Sequence, residues 1–199
     1  PVSGRLRRPG RVEAEALVAR RTEARDVFTL LYVSRFYPHK NHVFLLSLSQ
    51  ALERKGVRHR ILVTLDARVE GASELLERVA ASGLPIENLG ELDQAALRAR
   101  YEAAHALIFP SRSETFGNPL VEAMCFGLPV IAPDLEYART VLGEAGIHYA
   151  EDAVAECADA VARLARDEAH YRAASRRSLE RSAAFPDPAE WVERYLALL

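Results

Sequence analysis

The chain has 199 residues, 49% of them hydrophobic and 27% charged, a balance that fits a soluble globular protein and excludes a disordered or membrane-embedded one. Its 26 Lys and Arg against 28 Asp and Glu leave a net charge of −2, so no global field points to DNA, RNA or an anionic bilayer, and any phosphate binding must be local. One domain with a peripheral terminal segment is the expected organisation at this length, with residues 1–26 a connector, 27–184 the domain and 185–199 a C-terminal helix.

Residues 1–26 are Arg-rich, broken by Pro9 and Gly10 and interleaved with Glu13, Glu15 and Glu23. A connector or surface helix fits them better than a nucleic-acid arm, since the acids cancel the field. From Val27 short apolar runs alternate with amphipathic stretches, the pattern of βαβ units around a parallel sheet. Strands are expected at Val27–Ser34, Arg60–Leu65, Ile86–Leu89, Ala106–Pro110, Pro129–Ala132 and Ile147–Tyr149. Most are continuous Val, Ile and Leu runs, as strands covered on both faces require.

The helices are punctuated by candidate caps. Asn41 is expected to cap a helix bearing Phe44, Leu45, Leu48 and Leu52, with Gly56 as its terminator. Asp93 caps the next, with Leu92 placed to staple against Leu97. Asn118 and Pro119 open a short helix that Gly127 ends. Val154, Cys157, Val161 and Leu164 mark a long amphipathic helix, an Arg-rich helix runs on to about Ala184, and Pro186 and Pro188 precede a last helix with Trp191, Tyr195 and Leu198. The fold expected is α/β, a Rossmann-like open parallel sheet of about six strands with helices on both faces and a helical C-terminal segment.

Two segments fall at carboxyl ends of strands, where open α/β sheets bind ligands. In Ser34-Arg35-Phe36-Tyr37-Pro38-His39-Lys40-Asn41, Arg35 and Lys40 flank a Pro-containing loop and can converge beside a helix N-terminus on an anion the size of a diphosphate. Solvated surface charges are the plainer reading, but loops between a buried strand and a capped helix are where binding groups usually sit. In Ser111-Arg112-Ser113-Glu114-Thr115-Phe116-Gly117-Asn118-Pro119-Leu120-Val121-Glu122, Gly117 permits close approach of backbone N–H groups. Glu122 sits in an apolar run, near the positive end of its helix. It is expected to stay ionised there and to suit a vicinal diol such as ribose, the alternative being a buried Glu paired to a basic residue. Glu114 can accept hydroxyls or serve as a simple loop carboxylate.

Glu114 and Glu122, with seven residues between them, resemble the E-x7-E motif of family 4 retaining glycosyltransferases of the GT-B fold. Ser34-Arg35-Phe36…His39-Lys40-Asn41 resembles the same family's phosphate loop. The resemblance runs from about Val27 to the C-terminus. It implies a donor-holding half-enzyme in which Arg35 and Lys40 bind the diphosphate of a UDP- or GDP-linked sugar, Glu122 the ribose and Glu114 the transferred hexose. Backbone around Phe116, Gly117 and Asn118 would touch sugar and phosphate, and the base would lie near Leu89–Leu92. Transfer would retain anomeric configuration through front-face attack and an oxocarbenium-phosphate ion pair. Arg35, Lys40 and Glu114 would be the catalytic groups, with no metal or other cofactor, in surface-glycan or lipopolysaccharide assembly.

The sequence departs from the family pattern at Ser34, where Gly is usual, and at Thr64-Leu65-Asp66-Ala67, where Gly-x-Gly is common. The chain also has no room for the N-terminal acceptor domain that a GT-B enzyme needs, and Pro1-Val2-Ser3 resembles the end of an interdomain crossing. A nucleotide-sugar-binding module without catalysis and a GT-B-type epimerase are the alternatives.

Other features carry less. His39, His42, His59, His105, His148 and His170 show no metal-ligand spacing on one helical face. Ser111 and Ser113 lack a Gly-x-Ser-x-Gly context. Cys125 and Cys157 read as buried thiols of a reducing compartment. With no signal segment or membrane-length apolar run, a cytoplasmic protein is expected, peripheral to the inner membrane face when full length.

Overall fold

The computed structural model describes residues 7–23 and 25–185. Pro1-Val2-Ser3 and the expected last helix with Trp191, Tyr195 and Leu198 lie outside the described residues.

Six strands form one all-parallel sheet: β1 (Phe28–Tyr32), β2 (His59–Val63), β3 (Ile86–Asn88), β4 (Ala106–Ile108), β5 (Val130–Pro133) and β6 (Ile147–Tyr149), in the order β3-β2-β1-β4-β5-β6. Every expected strand is present with its ends within two residues of expectation: β1, β3 and β4 are shorter, β2 and β5 are shifted, and β6 has the expected bounds. The continuous apolar runs lie where the sheet is covered on both faces: all residues of β1, β4 and β5 are buried. At one edge β3 has exposed Glu87 between half-buried Ile86 and Asn88, so there the pattern alternates.

The helices are α1 (Arg11–Glu23), α2 (Phe44–Arg54), α3 (Ala72–Ser82), α4 (Gln94–Ala103), α5 (Asn118–Cys125), α6 (Glu136–Leu142), α7 (Val154–Arg166) and α8 (Glu168–Ser182). Right-handed crossovers put α2 and α3 on one face and α4 to α6 on the other. Helix α7 packs on α2, and α8 on α5 and α1. The direction of strand progression reverses between β1 and β4, which opens a crevice at the carboxyl edge between their loops.

Asp93 caps α4 as expected, its side chain accepting from the Ala96 N–H at 2.8 Å. Asn41 does not cap α2. It takes a left-handed conformation (φ 54°) that ends a single 3-10 turn, Pro38–Lys40, and α2 begins three residues later without a side-chain cap. Pro38 starts the tight turn, and Asn is a residue type that tolerates the left-handed region. Lys40 therefore closes a 3-10 turn that precedes α2.

Helix α1 is held by an unexpected group. Arg21, 3% exposed, sends its guanidinium under α4 and α5, donating to the carbonyls of Tyr101 (3.1 Å), Glu102 (3.1 Å) and Phe126 (2.9 Å). These are carbonyls at helix C-termini that lack intrahelical partners. Beside them Gly127 (φ 67°) ends α5, where a Cβ would come within 2.8 Å of Val18 and 3.3 Å of Leu179, so glycine is required by both conformation and space.

Candidate active site

Arg35, Lys40, Glu114, Phe116, Gly117, Asn118 and Glu122 all line one cleft of about 1010 Å³ at the carboxyl edge. Two loops build its walls. The loop after β1 brings Arg35, exposed, and Lys40, half-buried. The loop after β4 brings Glu114 and then the start of α5, where Gly117 adopts φ 80°. A side chain there would be strained and would meet Leu120 at 3.0 Å, so the turn itself demands glycine.

The two loops are stitched together. The Arg112 N–H donates to the His39 carbonyl at 2.8 Å, and the Ser111 hydroxyl donates to the same oxygen at 3.3 Å. Tyr32, buried in β1, donates its hydroxyl to the Lys40 carbonyl at 2.6 Å. Tyr137 donates to the Ser111 carbonyl at 2.6 Å. Burial pushes the Tyr32 and Tyr137 phenols upward, so both remain donors at neutral pH.

Lys40 does not stand free. Its Nζ contacts both Glu114 oxygens, at 2.6 and 2.7 Å, in a pair whose side chains are only 16% and 9% exposed. Arg35 is exposed and lines the same cleft, so the two cations share it while one of them is held by an acid. The ammonium, being a compact charge on a flexible stem, can move from carboxylate to phosphate without moving backbone.

At Glu122 burial outweighs the helix dipole. Burial raises its pKa above the ordinary value of 4.5, with the Tyr101 hydroxyl and then Arg8 opposing the shift. It is the fifth residue of α5, beyond the first turn where the helix dipole acts, so desolvation wins. Its partner is not a basic residue but Tyr101, fully buried in α4, whose hydroxyl donates to Oε2 at 2.8 Å. That leaves Oε1 for a ligand hydroxyl.

The sign of that shift makes a prediction. A carboxyl whose folded pKa is raised adds stability that is fully present below 4.5 and lost as pH rises through the folded value. Glu122→Gln, which keeps an acceptor for Tyr101, is therefore expected to melt above the wild type at pH 7. The gap in melting temperature should close as pH falls below 4.5. A variant that melts lower at pH 7 contradicts the assignment.

Where Gly-x-Gly was missing, Thr64 and Asp66 line the cleft, and the Thr64 hydroxyl accepts from the Ser34 N–H at 3.3 Å. Arg68 bridges Asp66 and Glu91, each at 2.9 Å, at the end of the cleft where Glu91 and Leu92 follow β3. His42 is buried between Tyr32 and Phe36, with ring centroids at 4.7 and 5.6 Å. Burial and Lys40 lower its pKa to about 4, so it stays neutral beneath the cationic loop. Among the described residues, no three His, Cys, Asp or Glu side chains are grouped as metal ligands, and Cys125 and Cys157 are both buried.

An open, all-parallel α/β domain with paired cations and acids facing one cleft at its strand-order reversal defines a class of nucleotide-handling domains. The profile of the glycosyl transferases group 1 matches residues 27–167, and the chain belongs to that family, whose members of family 4 and GT-B fold its two motifs resemble. O-antigen chain mannosyltransferase B of Escherichia coli is 32% identical over 120 residues, which are 59% of this chain and 31% of that protein. D-inositol 3-phosphate glycosyltransferase of Frankia alni is 34% identical over 161 residues, 74% of this chain and 39% of that one. Sucrose-phosphate synthase from Thermosynechococcus elongatus superposes with a TM-score of 0.71 at 25% identity, over 97% of this chain and 50% of that one. The chain thus spans between 31% and 39% of these two relatives' lengths.

Tyr32, Tyr101 and the Lys40–Glu114 pair were not legible in the sequence as site geometry. Their partners lie 8, 21 and 74 residues away, and no local pattern announces such pairs.

Proposed function

We propose that this chain holds the donor of a retaining hexosyltransferase, binding a UDP- or GDP-linked sugar in the carboxyl-edge cleft. In this reading Arg35 and Lys40 take the diphosphate, Glu122 the ribose, and Glu114 the hydroxyls of the transferred hexose. Backbone around Phe116, Gly117 and Asn118 closes on sugar and phosphate. The observation that carries it is the cleft's division of charge: two cations on the loop after β1 face two acids delivered by the loop after β4 and by α5.

Lys40 leaves Glu114 for the diphosphate as the donor enters, which frees the carboxylate to accept sugar hydroxyls. Charge building on the leaving diphosphate then meets two prepositioned cations, an electrostatic contribution that needs no metal. In this reading the acceptor is bound by residues beyond those of this chain, which spans 31% and 39% of the two relatives' lengths. The relatives' names, which include an O-antigen mannosyltransferase, support surface-glycan assembly as the setting and mannose as a donor sugar to try first. Among the described residues no helix is long and apolar enough to cross a membrane.

Thermal-shift titration against UDP, GDP and their sugars tests the reading. One nucleotide diphosphate should raise the midpoint with saturable dependence, by about 2.7 kcal/mol of stabilisation at a hundredfold excess over Kd. No saturable response to either UDP or GDP would remove the donor site.

A further inference from the structure

Beyond the two motifs, a third loop touches both walls of the cleft. Asp152, in the loop between β6 and α7, accepts from Asn41 Nδ2 on Oδ1 at 3.0 Å and from Arg112 Nη2 on Oδ2 at 2.8 Å. Asn41 follows Lys40 directly, and Arg112 lies two residues before Glu114. We infer that Asp152 is a positioning residue: its carboxylate ties the loop of Lys40 to the loop of Glu114 and so sets the spacing of the groups that receive the donor. The inference rests on the donor-site reading above.

Two observations support it. Asn41 (φ 54°) and Asp152 (φ 60°) are the only residues other than glycine with positive φ among the described residues, and they are bonded to each other. Asn and Asp are the side chains that enter this region most readily after glycine, and here both do so at the two ends of one hydrogen bond. The Arg112–Asp152 pair is half-exposed, with side chains 48% and 49% accessible, so it contributes little to global stability. A bridge of little stabilising value that joins two loop residues in the left-handed region fits a role in registering the loops, with the Arg112 N–H to His39 bond as the inner fastening and Asp152 as the outer one.

The test uses glycine, which accepts positive φ and so separates the carboxylate from the backbone strain. In Asp152→Gly the melting midpoint of the ligand-free protein should fall by no more than about 2–4 °C, while the Kd for UDP or GDP, whichever binds, rises about three- to tenfold. Asp152→Asn, which keeps an acceptor for Asn41, should fall between wild type and Asp152→Gly. Asn41→Gly alone should weaken binding similarly, and combining it with Asp152→Gly should add less than the sum of the two effects. Wild-type binding with an unchanged Kd in Asp152→Gly, or fully additive effects, overturns the positioning role and leaves the donor site standing. A wild-type protein that binds neither nucleotide sinks both.

Discussion

Lys40→Ala is expected to weaken UDP or GDP binding about tenfold to a hundredfold, from the loss of one charge-assisted contact of about 1.5–3 kcal/mol. It should also lower the stability of the ligand-free protein by about 3 kcal/mol, because Glu114 would be left nearly buried without its cation. The two effects have separate origins. In the empty cleft the ammonium answers the Glu114 carboxylate through both oxygens; in the filled cleft it answers the diphosphate. The double variant Lys40→Ala/Glu114→Gln should therefore regain much of the lost stability while nucleotide affinity stays low. Calorimetric titration alongside thermal unfolding reads both quantities on the same samples. Affinity that survives Lys40→Ala would take the diphosphate out of this cleft.

The largest expected stability loss lies away from the cleft, at Arg21. Three carbonyls from the ends of α4 and α5 receive its guanidinium, and the group is nearly inaccessible to water. Arg21→Ala removes three charge-assisted bonds and leaves buried acceptors with no water to replace the donor, a cost on the order of 3–5 kcal/mol. In a domain of this size that corresponds to a drop in melting temperature of about 10 °C. Arg21→Lys should recover little, since a single ammonium cannot reproduce the planar fork. The consequence reaches the site, because the Tyr101 carbonyl is one of the three acceptors and the Tyr101 hydroxyl orients Glu122. A variant melting within 2 °C of wild type would show that these carbonyls find other partners; about 1 kcal/mol or less would then separate the two proteins.

What the sequence made legible follows from the range of the forces involved. Strands β1, β4 and β5 announce themselves because a strand covered on both faces must be largely apolar, and that is written in consecutive residues. Asp93 is readable for the same reason: a cap and the N–H that donates to it lie three residues apart. Asn41 was misread because a cap and a left-handed turn residue share one chemistry, and only the preceding Pro38 turn decides between them. The raised pKa of Glu122 is not legible locally, because the helix dipole is visible in the sequence whereas the burial that outweighs it comes from packing against α4. Arg21 is the extreme case. It sits in an Arg-rich segment whose charges read as solvated, and its acceptors lie 80, 81 and 105 residues away.

The candidate site was legible in composition and not in geometry. Arg35, Lys40, Glu114, Phe116, Gly117, Asn118 and Glu122 can be read off two motifs, and the structure gathers all seven on one cleft. The mutual engagement of Lys40 with Glu114, the Tyr101 hydroxyl on Glu122 and the Asp152 bridge depend on how the sheet orders β1, β4, β5 and β6 and on how α4 packs on α5. Such contacts between loops of different strands set how the cleft is poised, and each is open to single substitutions.

A structure of the chain with UDP or GDP bound, whichever nucleotide stabilises it, tests the central claim most directly. The account places the diphosphate beside Arg35 and Lys40, with Lys40 drawn away from Glu114 and the ribose hydroxyls on Glu122. A second cleft, of about 730 Å³, lies at the opposite edge of the sheet, lined by Arg60, His59 and Thr29. Nucleotide found there, or found with Lys40 still closed on Glu114 and no phosphate near it, would contradict the assignment.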